Sequence, residues 1–281
     1  VHNVTSAAAW ERLRSLGFEG WVAKQKSVGR IANIGFSYHG PKDDFPVLLD
    51  AFDWDFCQIQ YNYMNEDYQA GTTGLIAAAE RGLPVIVMEP LLGGKLAAEL
   101  PTEAREILAN AGLSDDPVRL ALRWVWAHPE VTVVLSGMNT QEQLLQNIDT
   151  AEAALPGSLE DAEAMAVEIA RKEITKSYKV PCTGCGYCLP CPKGVNIPMC
   201  FAAYNTSFAH GWYQGMQQYI TVSGAMVGDA HFASDCIRCG VCLEKCPQHI
   251  QIPDELSSVK RRLQPPGLPA LVRFGVRVLS R

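Results

Sequence analysis

Over its first 150 residues the chain alternates short apolar runs with amphipathic stretches. Apolar positions at helical spacing predict helices over 7–16 and 20–28, the second closed by Gly29-Arg30. Residues 31–36 then read as a buried strand that ends at Ser37-Tyr-His-Gly40. From there the pattern repeats. A helix over 43–51 leads to a strand over 56–61, a helix over 72–81 to a strand over 84–88, and helices over 103–110 and 117–127 to a strand over 131–135; a helix over 140–148 closes the series. Short apolar strands, each bounded by turn residues and alternating with helices, predict parallel βα units covered on both faces. The order fits the C-terminal part of a (β/α)8 TIM-type barrel, so the fold class is α/β. Four or five strands leave the sheet edges open, which points to a fragment, a second copy or an unusual packing that completes the barrel.

Beyond the barrel the pattern changes. A charged amphipathic helix is predicted over 158–172, started by Ser158 with Glu160 and Asp161 in its first turn. Residues 192–235 are rich enough in Ala, Met, Phe and Tyr to form two helices. The tail over 252–281 holds Pro265-Pro266 and then 268–279, with Arg273, Arg277 and Arg281 at helical spacing; a helix packing back on the module, a membrane-surface contact and a partner contact are the open readings. The implied division is 1–155, partial barrel; 156–180, linker helix; 181–255, a mostly helical ferredoxin-like domain; and 256–281, C-terminal tail.

The 281 residues, 48% of them apolar, suffice for one large or two ordinary domains. No apolar run approaches the roughly 18 residues of a membrane span, and the start Val-His-Asn-Val-Thr is not a signal peptide, so the expected location is cytoplasmic. Val1 in place of methionine suggests a native start upstream. The net charge of −6 conceals an asymmetry: residues 1–175 hold 13 Lys and Arg against 25 Asp and Glu, whereas 176–281 hold 11 against 5. A basic C-terminal part suits docking to an acidic electron carrier, while the absence of interleaved aromatics argues against nucleic acid.

That basic part contains Cys182-Thr-Gly-Cys185-Gly-Tyr-Cys188-Leu-Pro-Cys191-Pro192 and Cys236-Ile-Arg-Cys239-Gly-Val-Cys242-Leu-Glu-Lys-Cys246-Pro247, with eight of the ten cysteines. Three thiolates at two-residue gaps followed by a fourth before proline is the spacing that wraps a cubane iron–sulfur cluster. The first run departs from it by one residue before its last cysteine. In two-cluster proteins the fourth cysteine of each run ligates the other cluster. This assigns Cys182, Cys185, Cys188 and Cys246 to one 4Fe–4S cluster and Cys236, Cys239, Cys242 and Cys191 to the second. Gly186 and Gly240 let backbone amides approach the sulfides. Zinc would leave a surplus cysteine in each run, and disulfides need an oxidising compartment. Cys57 reads as a core residue rather than a reactive thiol, and Cys200 as helix packing beside a cluster, with a substitute-ligand role should Cys191 fail to reach.

Ile34-Gly-Phe-Ser37-Tyr-His39-Gly, Phe56-Cys-Gln58-Ile-Gln-Tyr61-Asn62-Tyr, Val87-Met-Glu-Pro90-Leu-Leu-Gly93-Gly94 and Leu135-Ser-Gly-Met-Asn139-Thr, followed by the paired cysteine runs, resemble the aldo/keto reductase family, in the branch fused to a C-terminal 4Fe–4S ferredoxin domain. The resemblance implies a nicotinamide dinucleotide, NAD(P)H, at the C-terminal strand ends. It places Ser37 and Gln58 on the carboxamide, the Gly93-Gly94 backbone at the pyrophosphate, and His2 beside the reacting carbonyl. It also implies that the family's catalytic aspartate, tyrosine and lysine lie upstream of His2, so the chain appears N-terminally truncated and lacks the proton donor of carbonyl reduction. Gly137, Met138 and Gln143 stand where relatives clamp a 2′-phosphate with cations, which leaves NADH, NADPH or another cofactor open. Met88 replaces the aromatic that stacks on the nicotinamide.

Two functions compete. One is an iron–sulfur oxidoreductase coupling two 4Fe–4S clusters to a barrel redox site that handles an unknown small molecule. The other is an electron-transfer module whose barrel is a non-catalytic scaffold, with a redox protein as partner; a zinc-stabilised structural domain is a third reading.

Overall fold

The computed structural model describes residues 1–97, 100–113, 116–225 and 230–279. Its contacts divide the chain into two compact units, one of Val1–Leu100 with Arg105–Ile169 and one of Pro101–Ala104 with Ala170–Arg281.

The N-terminal part runs α1 (Ala7–Ser15), α2 (Phe18–Ser27), β1 (Gly35–Tyr38), α3 (Asp44–Leu49), β2 (Phe56–Gln60), α4 (Gly71–Glu80), β3 (Val85–Met88), α5 (Thr102–Asn110), α6 (Pro117–Trp126), β4 (Val131–Val134) and α7 (Gln141–Ala153), and α8 (Asp161–Ser177) follows. The four strands are parallel in the order β1-β2-β3-β4. This is the alternating βα architecture expected of a barrel segment. Helix starts follow local chemistry. The Ser6 hydroxyl accepts from Ala9 N–H, Asp116 accepts from Val118 and Arg119 N–H ahead of Pro117, and Thr140 caps Gln143 N–H.

The first strand lies further along than the expected 31–36. Ile34 N–H is taken by the Asp55 carboxylate at 2.7 Å, and the ladder begins only where Gly35 meets Phe56. Gly35 is required there, because a Cβ would stand 2.4 Å from the Phe56 carbonyl oxygen. The opening residues add a pairing the hydropathy pattern does not reveal. Ser37 N–H donates to Val1 O at 2.9 Å, Val4 N–H to Ser37 O at 2.8 Å and His39 N–H to Val4 O at 3.1 Å, so 1–4 run parallel to β1 along its outer edge.

The period of two in the strands separates the faces. Phe36, Tyr38, Cys57, Ile59, Val85 and Val87 are fully buried on the helix side, where Phe36 packs on Trp54 (4.7 Å between centroids) and Tyr38 on Phe45 (4.9 Å). The opposite face carries, in one hydrogen-bonded row, Ser37, Gln58, Ile86 and Val133, with Gln60 and Met88 one step further along.

The second unit is helical: α9 (Ile197–Ala209), α10 (Trp212–Ile220), the short α11 (Val241–Glu244), α12 (Ile252–Leu263) and α13 (Leu268–Leu279). The two helices expected over 192–235 are α9 and α10. Helix α12 is a correction to the tail reading. Ile252, Leu256, Val259 and Leu263 recur on one face and are fully buried with Val195, Ile197, Phe201, Tyr219 and Phe232. Helix α13 packs back on this core through Leu268 and Val272, and Arg273 donates to Ala230 O and pairs with Asp235. Among the described residues no helix is long and apolar enough to cross a membrane.

Candidate redox centre

The two cysteine runs fold onto α9 and α12 as a pseudo-repeat. After each fourth cysteine the chain reads Pro-Lys-Gly-Val-Asn-Ile197-Pro and Pro-Gln-His-Ile-Gln-Ile252-Pro. Both copies make the same backbone bonds: Gly194 N–H to Cys191 O at 2.9 Å and His249 N–H to Cys246 O at 3.1 Å, then Ile197 N–H to Val195 O at 3.0 Å and Ile252 N–H to Ile250 O at 2.8 Å. The matching positions Gly184 and Arg238, Gly186 and Gly240, and Gly194 and His249 all have positive φ. Each helix then begins with Ile-Pro in its first turn, where proline forfeits no hydrogen bond. Gly186 and Gly240 meet nothing within 4 Å of a built Cβ, so their left-handed backbone rather than crowding calls for glycine.

Two cavities lie in these loops. One is lined by Cys182, Cys185, Cys188 and Cys246, with Ile197, Phe201, Ile250 and Ile252 behind them. The other is lined by Cys191, Cys236, Cys239 and Cys242, together with Cys188, Ile197, Pro253 and Leu256. The electrostatics group the thiols in the same way. Burial first, then Cys182, Cys185 and Cys246, push the Cys188 thiol up to about 12. Burial first, then Cys236, Cys239 and Cys191, raise Cys242. The thiols surround open space rather than one point: among the described residues no three His, Cys, Asp or Glu side chains are close enough to share a single metal ion. Four thiols around an apolar-backed cavity fit an iron–sulfur cube. The shorter first run still presents Cys191, whereas Cys200, fully buried in the helical core, is outside both linings. One cysteine of each set, Cys185 and Cys239, is exposed.

Asn205 fixes the entry to the first loop. Its side chain accepts from Val180 N–H at 3.0 Å and donates to Val180 O at 2.8 Å, two residues before Cys182. The sequence reading missed Asn205, the Ile-Pro repeat and α12. The repeat was legible as matching Cys-Pro-x-x-aliphatic-x-Ile-Pro segments; Asn205 left no local signal.

In the N-terminal unit, Ser37 and Gln58 are register partners on the less covered face of the sheet. The Ser37 hydroxyl accepts from Asn3 N–H at 2.8 Å, and the Gln58 amide donates to Met88 Sδ at 3.2 Å. Gly93 and Gly94 line a cavity of about 580 Å³ beyond the ends of β3 and β4, together with Glu89, Gly137, Met138 and Gln143. His2 is exposed on the edge segment and is outside that lining. Burial alone pushes the Cys57 thiol up to about 12, as for a core residue.

No curated protein matches the chain. The aldo/keto reductase family matches residues 20–158, and the 4Fe-4S dicluster domain matches residues 181–250. The chain thus joins an aldo/keto reductase family domain to a C-terminal 4Fe–4S dicluster ferredoxin domain.

Proposed function

We propose that the protein is an iron–sulfur oxidoreductase with two 4Fe–4S clusters, one held by Cys182, Cys185, Cys188 and Cys246 and the other by Cys236, Cys239, Cys242 and Cys191. The observation that carries this reading is the crossed lining of the two cavities, each completed by the fourth cysteine of the other run. Clusters supply one-electron transfer when bound, and a nicotinamide supplies a two-electron hydride. The residues of this chain prepare the site for both. Ile197, Phe201, Ile252 and Leu256 exclude water from the thiol sets, which favours retention of a cluster over hydrolysis. Exposed Cys185 and Cys239 bring one edge of each set to the surface, where a redox partner docks, and the basic C-terminal part favours an acidic one.

In the barrel unit the reading places the carboxamide of a nicotinamide dinucleotide on Ser37 and Gln58 and its pyrophosphate at Gly93 and Gly94. The cavity lacks a cationic side chain among its described lining residues, so NADH is favoured over NADPH. Exposed His2 is the remaining candidate beside a reacting carbonyl. A small-molecule substrate, a redox partner protein and a cytoplasmic location are part of the proposal. A second reading, an electron relay on a non-catalytic scaffold, draws on His2 standing outside the described lining of the barrel cavity.

The test is to add NADH anaerobically to the reconstituted protein and follow bleaching of the visible cluster absorbance. Bleaching that is lost in Gln58→Ala supports coupling of barrel and clusters. Clusters that respond to dithionite but not to NADH leave the relay.

A further inference from the structure

The cavity beyond β3 and β4 has an electrostatic peculiarity. Of its described lining residues only Glu89 carries a charge. The Glu89 Oε2 atom is buried and has no hydrogen-bond partner. Two of the lining amides donate elsewhere: Asn147 Nδ2 to Ser136 Oγ at 2.9 Å and Gln146 Nε2 to Asp116. The backbone holds the carboxyl in place: Glu89 itself has φ 57°, its carbonyl accepts from Asn62 Nδ2 at 2.9 Å, and Leu92, Gly93 and Gly94 continue at positive φ. A left-handed glutamate is a strained choice at a position that need only make a turn.

We infer that Glu89 is a charge filter for this cavity: its carboxylate stands beside the Gly93 and Gly94 backbone that a phosphate would approach, and a phosphate enters only against that charge or together with a proton on it. The inference rests on the dinucleotide reading of the cavity and adds what that reading lacks, a penalty against the ligand's most charged part. Burial raises the Glu89 pKa, and the two groups that oppose this are the Gly93 N–H and the Lys95 ammonium. Among the described residues Asp116, bonded to Gln146, is a further acidic group beside the cavity, and no histidine is among the described lining residues. Proton uptake by Glu89 on anion binding is therefore the expected linkage.

The experiment is calorimetric titration of the full reconstituted chain, as wild type, Glu89→Gln, Glu89→Ala and Glu89→Asp, with adenosine, ADP and NADH. NADH is titrated in steps from the ordinary carboxylate range, about pH 4.5, up to about pH 8; its pyrophosphate does not itself titrate there. Removing one like charge from a semi-buried site is worth roughly 10- to 100-fold in affinity. The expected result is that Glu89→Gln and Glu89→Ala tighten ADP and NADH by that factor at the highest pH and leave adenosine unchanged. Wild type and Glu89→Asp should weaken toward NADH as pH rises, and the neutral variants should not. Equal NADH affinities and equal pH profiles in all four proteins would overturn the filter while leaving the dinucleotide reading intact. A gain for ADP alone, with NADH bound by none, would keep the filter and overturn the dinucleotide. A gain for adenosine equal to that for ADP would show that Glu89 acts by bulk and not charge, which also overturns it.

Discussion

Asn205 offers the sharpest stability test of the ferredoxin unit, because its two hydrogen bonds go to one buried residue, Val180, at the entrance to the first cysteine loop. In Asn205→Ala the two lost bonds are not equivalent. Val180 O keeps a second donor, Cys182 N–H at 2.8 Å, so its loss is that of an ordinary hydrogen bond, about 0.5–1.5 kcal/mol. Val180 N–H has no such substitute and is left buried, which costs about 1–3 kcal/mol. The total of about 1.5–4.5 kcal/mol is a large share of the ~5–15 kcal/mol that holds a domain together. For a unit of this size it lowers Tm by roughly 5–20 °C. The assay is anaerobic thermal unfolding of the reconstituted protein, followed by far-UV circular dichroism and by the visible cluster absorbance. Asn205→Asp keeps the acceptor for Val180 N–H but, when ionised, turns a second oxygen on Val180 O, so it should recover stability over Asn205→Ala only where the carboxyl is protonated. An Asn205→Ala protein within about 0.5 kcal/mol of wild type would refute the reasoning.

Other expectations follow from the same structure. Gly194→Ala combines φ 69° with a Cβ placed 2.7 Å from the His231 ring, so reconstituted protein should lose cluster absorbance faster than wild type under a chelator challenge. Leu256→Ala, in the buried seam of α12 behind the second cysteine set, should cost about 2–5 kcal/mol by denaturant titration of the unit. The raised pKa of Glu89 means that the folded state holds its proton more tightly than the unfolded state. Its ionisation therefore removes stability as pH rises from the unfolded value near 4.5 through the folded one. Glu89→Gln should raise Tm at pH above both values, and the gain should vanish below about pH 4. Asp55 has the opposite sign: Lys26 and the Ile34 N–H depress its pKa, so Asp55→Asn should destabilise at neutral pH and match wild type in acid.

The strand and helix order was legible because each strand is a short apolar run whose neighbours are amphipathic, and the cysteine spacing predicted two thiol sets whose members line the two cavities, with Cys188 in both linings. Where the reading slipped, non-local contacts decided. The β1 boundary is set by Phe56 across the ladder and by Asp55 taking Ile34 N–H. The pairing of 1–4 with β1 has no alternation to announce it. Helix α12 was legible in principle, since Ile252, Leu256, Val259 and Leu263 keep helical spacing; Pro265-Pro266 drew attention to the break and away from the helix before it. At the barrel end the family resemblance directs attention to Ser37, Gln58, Gly93 and Gly94, but only the structure brings the partnerless Glu89 oxygen to the same cavity.

The central claim is the crossed ligation of two clusters, and counting iron in paired cysteine variants tests it most directly. After anaerobic reconstitution the wild type should hold about eight irons per chain. Cys191→Ala with Cys236→Ala removes two ligands of one cluster and should leave about four irons, whereas Cys191→Ala with Cys182→Ala removes one ligand from each and should leave few. If the Cys182/Cys191 pair retains about four irons and the Cys191/Cys236 pair retains few, each run binds its own cluster and the account is contradicted.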